Sequence, residues 1–319
     1  MNFNKFIEQA GLESKTYQED GVNWCVAREE SEEYCKGGLI ADEMGLGKTI
    51  MMIGTIIQNF KMPNLIVLPL VLVEQWKDQF IRTTGHSPLV YYGAVKKMAT
   101  TEMLKTAPIV LTTYGTMISD SKREKKLQEV AWNRVIFDEA HHMRNKNTHC
   151  YRSAMAINAD VKWLITGTPI QNHINDLYSL FDIVGISRKV YTNTDELRSI
   201  MKTIVLKRTK KEVGIKLPAV HSTRVSTMWK NTNEQKLTES VHNNIGLDRK
   251  MLLAMMMYER MMCVYPHLMS GANMKTIRAM GVGKDFANGT KHHSKMDSVI
   301  DRIVERKDNG NRKIIIPTF

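Results

Sequence analysis

Short apolar runs recur along the first half of this chain: "GGLIA" from residue 37, "NLIVLPL" from 64, "PLVYYG" from 88, "PIVLTTYG" from 108, "RVIFDEA" from 134 and "KWLITGTP" from 162. Each has the length of a strand and is apolar nearly throughout rather than alternating. Between most of them lie stretches that suit helices, such as "TIMMIGTIIQNF", "VEQWKDQF", "MISDSKREKKLQEV" and "NDLYSLFDIVG". Strands that alternate with helices and carry no polar face predict a parallel sheet covered on both sides. In such sheets ligands bind beyond the carboxyl ends of the strands. The unusual residues of this sequence follow strand ends.

Near residue 187 the character changes. The chain becomes mostly helical and basic, with one extended piece in "AVHSTRVSTMW". "SGANMKTIRAMGVGKDFANGTKHHS" reads as loop or linker. A helix, "KMDSVIDRIVER", a polar turn "KDNGN" and a strand-like "KIIIPTF" follow. The methionine-rich "KMLLAMMMYERMMC" suits helical packing.

Composition narrows the classes. The net charge of +12 makes polyanions expected partners, with a merely soluble basic protein as the alternative. The four cysteines, Cys25, Cys35, Cys150 and Cys263, form no CxxC pair, which points to a reducing compartment. His141, His142, His149 and Cys150 lie close in sequence but match no structural zinc spacing. No run is long and apolar enough to suggest a membrane span.

Chemistry enters at "ADEMGLGKT", residues 41–49. Gly47, Lys48 and Thr49 match the end of a phosphate-binding loop, G-x-x-x-x-G-K-[ST]. Asp42 occupies the place of the first glycine, so the strict pattern fails, while Gly45 restores backbone freedom within the loop. Backbone N–H groups at a helix start would face phosphate, Lys48 would reach the β and γ phosphates, and Thr49 would hold Mg²⁺. A glycine-rich turn between strand and helix is the plain alternative. A second element tips the balance. Asp138 and Glu139 end an apolar strand, where adjacent carboxylates are costly unless a cation or a reaction needs them. Asp138 is expected to bind Mg²⁺, and Glu139 to orient or deprotonate an attacking water. The alternative is an acidic pair ending a strand at solvent.

The ordered set "YQEDGVNW", "ADEMGLGKT", "LIVLPLVLVEQWKDQF", "VLTTYG", "WNRVIFDEAHHMRNKNT" and "WLITGTPIQN" resembles the Swi/Snf-type helicase-like ATPases of superfamily two. "VLKRTKKEVGIKLP" and "MMCVYPHL" are similar to later landmarks of that family. The resemblance implies an α/β fold: a RecA-like parallel sheet flanked by helices at 1–186, a family-specific helical protrusion at 187–282, and a linker with a truncated second RecA-like lobe at 283–319. It implies ATP and Mg²⁺ as cofactors, with Gln18 reading the adenine beside Tyr17. Asp42, Glu43, Met44, Gly45, Leu46, Gly47, Lys48 and Thr49 would form the ATP loop. Lys48, Asp138 and Glu139 would carry the catalysis. Thr166, Gly167, Thr168, Gln171 and Asn172 would couple nucleotide state to movement between lobes.

Pro69, Thr112, Thr113 and Tyr114 match segments that contact a DNA backbone. Lys207 and Arg208, in the basic run of Lys202, Lys207, Arg208, Lys210, Lys211 and Lys216, would lie near DNA; such a run is otherwise a solvated face. Phosphate contacts carry no sequence information, so the expected partner is double-stranded DNA, bound largely without sequence preference. The implied activity is ATP-driven translocation on DNA and remodelling in the nucleus. The alternative is a truncated, non-catalytic module that binds ATP and DNA and acts through protein contacts. His142 stands where the family usually has arginine. The arginine-bearing motif of the second lobe is not found. The layout resembles the global-transactivator-like members carried by large DNA viruses such as baculoviruses, which would place it in a host nucleus.

Overall fold

In the computed structural model, residues 3–32, 35–170, 173–219, 222, 224–243, 252–264, 275 and 294–308 are described. They fall into two units, Met1–Pro218 and Ala219–Phe319.

The first unit opens with helices α1 (Phe3–Gln9) and α2 (Thr16–Glu30), then strand β1 (Gly37–Ile40) and helix α3 (Lys48–Gln58). Strand β2 (Asn64–Leu68) leads through a 3-10 turn to α4 (Val73–Thr84), and β3 (Leu89–Tyr91) to α5 (Gly93–Met98) and α6 (Thr101–Thr106). Strand β4 (Ile109–Thr113) is followed by α7 (Tyr114–Arg123) and α8 (Lys126–Glu129), and β5 (Trp132–Asp138) by α9 (His149–Met155). Strand β6 (Ala159–Ile165), helices α10 (Ile174–Val184), α11 (Arg188–Thr192) and α12 (Thr194–Ile204), and strand β7 (Val205–Leu206) complete it.

The seven strands form one sheet in the order β3-β4-β2-β5-β6-β1-β7. Every pairing is parallel. The lack of a polar face in the strands has a direct cause. Leu39, Leu65, Val67, Phe137 and Leu164 enter one core, while their neighbours Ile40, Ile66, Leu68, Ile136 and Ile165 enter the other. Successive strand residues point to opposite faces, and here both faces are covered. The architecture is the expected RecA-like parallel sheet flanked by helices.

Two local features differ from the sequence reading. The helix expected over 117–130 is two, α7 and α8, because Lys125 takes a left-handed conformation at φ 56°. Asp120 holds the break: its carbonyl accepts from the Lys125 N–H at 2.8 Å and its carboxylate from the Leu127 N–H at 3.0 Å. Strand β7 falls in the stretch read as helical and basic. It pairs Leu39 with Val205 and Ile40 with Leu206. Residues 188–206 therefore return to the sheet, and the compact division lies at Pro218 rather than near residue 187.

The second unit contains α13 (Thr232–Asn243), α14 (Leu252–Val264) and α15 (Ser294–Asp308). Buried Glu234 joins two of them, accepting from the Ser294 N–H at 3.0 Å and the Ser294 hydroxyl at 2.5 Å. "KIIIPTF", read as the start of a second lobe, lies outside the described residues, as does nearly all of the glycine-rich segment before α15.

Candidate nucleotide site

The loop between β1 and α3 is shaped by its glycines. Gly45 and Gly47 have φ of 90° and 81°, a region open to glycine at little cost. A Cβ on Gly47 would lie 2.2 Å from Gln18 Nε2, so a side chain there would displace the Gln18 amide. Gln18 is buried and donates through Nε2 to the Leu46 carbonyl at 3.0 Å, tying α2 to the loop. Gly47 ends the loop, and Lys48 and Thr49 open α3. The first N–H groups of this helix have no carbonyl partner within it, which makes them anion donors. Lys48 Nζ donates to the carbonyls of Asp42 at 2.8 Å and Glu43 at 3.3 Å. Burial lowers its pKa, an effect opposed by the charges of Asp42, Glu139 and Asp138. The lysine loop and the acidic pair thus share one electrostatic site.

Asp138 ends β5. Its Oδ2 accepts from Trp76 Nε1 at 2.8 Å and its Oδ1 from the Glu139 N–H at 2.9 Å. Burial raises its pKa. Glu139 takes a left-handed conformation, φ 51°, which turns its side chain off the strand line. Its Oε2 is 3.1 Å from His141 Nδ1, and the Thr166 hydroxyl is 3.4 Å from the same nitrogen. His141 therefore bridges the acidic pair to the segment after β6. In that segment the Thr168 N–H donates to the Thr166 hydroxyl at 3.2 Å. Gly167 lies against the loop: a Cβ there would be 3.1 Å from Met44 Cγ. Gln171 and Asn172 lie outside the described residues.

The donor set suits the group it would hold. Thr49 offers a hydroxyl and Asp138 a carboxylate, hard oxygen ligands of the kind Mg²⁺ takes. Gly45 and Gly47 add no side chain of their own to the loop.

Of the residues expected near DNA, Pro69, Thr113 and Tyr114 line one hollow of about 460 Å³ with Tyr92, Lys96 and His142. Thr113 caps α7, its hydroxyl accepting from the Thr116 N–H at 3.1 Å. Thr112 is fully buried, and its hydroxyl donates to the Tyr91 carbonyl at 2.9 Å. Tyr114 is mostly buried and its phenol donates to the Asp138 carbonyl at 2.7 Å, bracing the acidic pair from below. Arg208 is engaged elsewhere in the fold. Its guanidinium turns into the nucleotide loop and pairs with Asp42, at 2.5 Å from Nη2 to Oδ2. Lys207 is exposed.

Sequence reasoning missed Trp76 as a partner of Asp138. The apolar pattern of "VEQWKDQF" marks a buried face and says nothing of where an indole N–H points. It also missed the Arg208–Asp42 pair, which no local spacing announces.

A glycine loop leading a lysine into a helix after one strand, and a carboxylate pair after a strand two places away, define a RecA-like ATPase lobe. The model of the SNF2-related domain matches residues 17–287, and the chain belongs to that family. Among curated relatives, it is 25% identical over 357 residues to chromodomain-helicase-DNA-binding protein 8 of Danio rerio, covering 96% of this chain and 14% of that protein. An uncharacterized ATP-dependent helicase of Schizosaccharomyces pombe is 30% identical over 240 residues, covering 61% of this chain and 23% of that one. The chain therefore spans less than a quarter of either. Two solved structures share the fold. The Sulfolobus solfataricus SWI2/SNF2 ATPase core in complex with dsDNA has a TM-score of 0.55 at 22% identity, covering 93% of this chain and 65% of that one. The ATPase core domain from the same organism has a TM-score of 0.53 at 25% identity, covering 80% and 57%. The chain is an SNF2-family ATPase domain, similar to chromodomain-helicase-DNA-binding proteins.

Proposed function

We propose that this chain binds Mg·ATP at the β1–α3 loop, hydrolyses it, and couples the reaction to movement along double-stranded DNA in the nucleus. The observation that carries the reading is the meeting of Lys48, Asp138 and Glu139 in one field at the carboxyl edge of the sheet. Lys48 holds the β and γ phosphates as a cation at a helix start. Thr49 and Asp138 hold Mg²⁺, which when bound neutralises phosphate charge. Glu139 accepts a proton from, or orients, the attacking water. Trp76 and the Glu139 N–H fix the Asp138 carboxylate, so its ligand oxygens are placed before the ion arrives. His141 relays the position of Glu139 to Thr166, and through it to the segment expected to move with the nucleotide state.

DNA binding is supported by the basic charge of the chain, by the Pro69–Thr113 hollow beside α7, and by the similarity to an ATPase core solved with dsDNA. The test is Mg·ATP binding by the whole chain. Lys48→Ala is expected to lose it, because a cation facing the phosphates is removed. Binding by Lys48→Ala equal to the parent would show that phosphate sits elsewhere.

A further inference from the structure

The loop departs from the usual phosphate-binding sequence at one place, Asp42, and this carboxylate is completely buried. A buried anion at the mouth of a phosphate site is unfavourable twice, through lost hydration and through repulsion of the ligand. Arg208 answers both. Its Nη2 lies 2.5 Å from Asp42 Oδ2 and its Nε 3.2 Å from Oδ1, while its backbone N–H donates to the same Oδ1 at 2.9 Å. Nη1 donates to the Tyr17 carbonyl, and the guanidinium lies 5.6 Å from the centre of the Tyr17 ring. Nη2 is also 3.4 Å from Met51 Sδ on α3. A Cβ on Gly21 would fall 2.9 Å from that Nη2, so the missing side chain at 21 leaves the guanidinium its room.

One side chain thus touches the phosphate loop, the helix that carries Gln18, and the helix that carries Lys48. The backbone around it does the same on a smaller scale. Ala41 N–H donates to the Leu206 carbonyl at 2.7 Å and Glu43 N–H to the Arg208 carbonyl at 2.9 Å. Lys210 repeats the arrangement on Glu43: its N–H donates to Oε2 at 2.8 Å, and its Nζ is 3.7 Å from Oε1. The segment after β7 therefore runs alongside residues 41–43 as a strap.

The geometry points to Arg208 as a positioning residue for nucleotide binding, which neutralises buried Asp42 and fixes the start of α2 against the phosphate loop. This rests on the ATP-binding reading above. Arg208 acts through Asp42 and Tyr17 rather than on the reacting atoms. Lysine can replace it only in part, because a single ammonium keeps the charge but does not span both carboxylate oxygens and the Tyr17 carbonyl.

The test is calorimetric titration of Mg·ATP into the full chain. Arg208→Gln is expected to weaken Kd by about tenfold or more, the scale of a lost charged hydrogen bond, with unchanged stoichiometry. A role confined to folding would lower the stoichiometry and leave Kd alone. Asp42→Asn combined with Arg208→Gln removes both charges and is expected to recover most of the affinity. Arg208→Lys, which keeps the charge, is expected to fall between. If Arg208→Gln does not fold, the lysine and double variants decide: weaker for the first, near parental for the second. Parental Kd in the Arg208 variants, with binding lost in Lys48→Ala, overturns this inference alone. So does a double variant no better than Arg208→Gln. A parent chain that does not bind Mg·ATP overturns the ATP reading as well.

Discussion

At the scale of the residue, the site is a set of charges placed where water is scarce. Lys48 is the clearest case. Burial lowers its pKa because the ammonium loses hydration, although Asp42 and Glu139 oppose the shift. Phosphate binding needs the protonated form and raises that pKa again. Nucleotide affinity should therefore fall as pH rises through the lowered value of the free protein, earlier than an ordinary lysine near 10.5 would dictate. Binding should take up protons as that pH is approached. Titrations in two buffers of different ionisation heat, run between neutral and alkaline pH, measure both. Affinity that is flat until the ordinary lysine range would contradict the placement of Lys48. Asp138 shifts the other way, raised by burial. With its native pKa above the unfolded one, the native state binds more protons in between. That group's contribution to stability falls as pH rises out of the ordinary aspartate range and levels off beyond the raised value.

At the scale of the element, α2 is held at both ends. Its start meets the nucleotide loop through Tyr17 and Gln18. Its end carries Glu29, fully buried with Arg134 of β5. Arg134 Nε lies 2.6 Å from Glu29 Oε1, and Nη1 lies 2.6 Å from Asn64 Oδ1. Trp163 Nε1 and Asn59 Nδ2 each add a bond to the same carboxylate at 2.8 Å. Removing one partner leaves the other charge buried and alone, so Glu29→Leu or Arg134→Leu should destabilise the chain by about 3–5 kcal/mol. Urea unfolding would show this as a lower midpoint with the slope unchanged. A shift below about 1 kcal/mol would mean that the network is not closed in solution.

The strands, the loop glycines and the acidic pair were legible in the sequence because each leaves a local signature: an apolar run, a GxGKT, a DE after "RVIF". The Glu29–Arg134 network and the Arg208–Asp42 pair were not, since each joins residues that meet only after the sheet has formed. Strand β7 was hidden for a different reason. It is two residues long, and the lysines that follow it read as a solvated face.

At the scale of the molecule, the basic excess and the Pro69–Thr113 hollow favour a polyanion. The chain should bind duplex DNA with little sequence preference and a steep loss of affinity with salt, because released counterions dominate such binding. Fluorescence anisotropy across a salt series on unrelated duplexes would measure it. Equal affinity at low and high salt, or strong preference for one duplex, would contradict it. Turnover is a separate matter. Among the described residues of the first unit, Lys48 faces the loop, while Arg208 and Lys210 are engaged with Asp42 and Glu43. A cation facing the transferred phosphoryl group, such as Lys48 in the proposed site, stabilises the charge that builds there.

The most direct test of the account is Mg·ATP hydrolysis by the whole chain, measured with and without duplex DNA against Glu139→Gln as the reference. The account predicts turnover that duplex DNA stimulates and that Glu139→Gln abolishes while nucleotide binding persists. Turnover unchanged by Glu139→Gln, or none above that variant with DNA present, would contradict it.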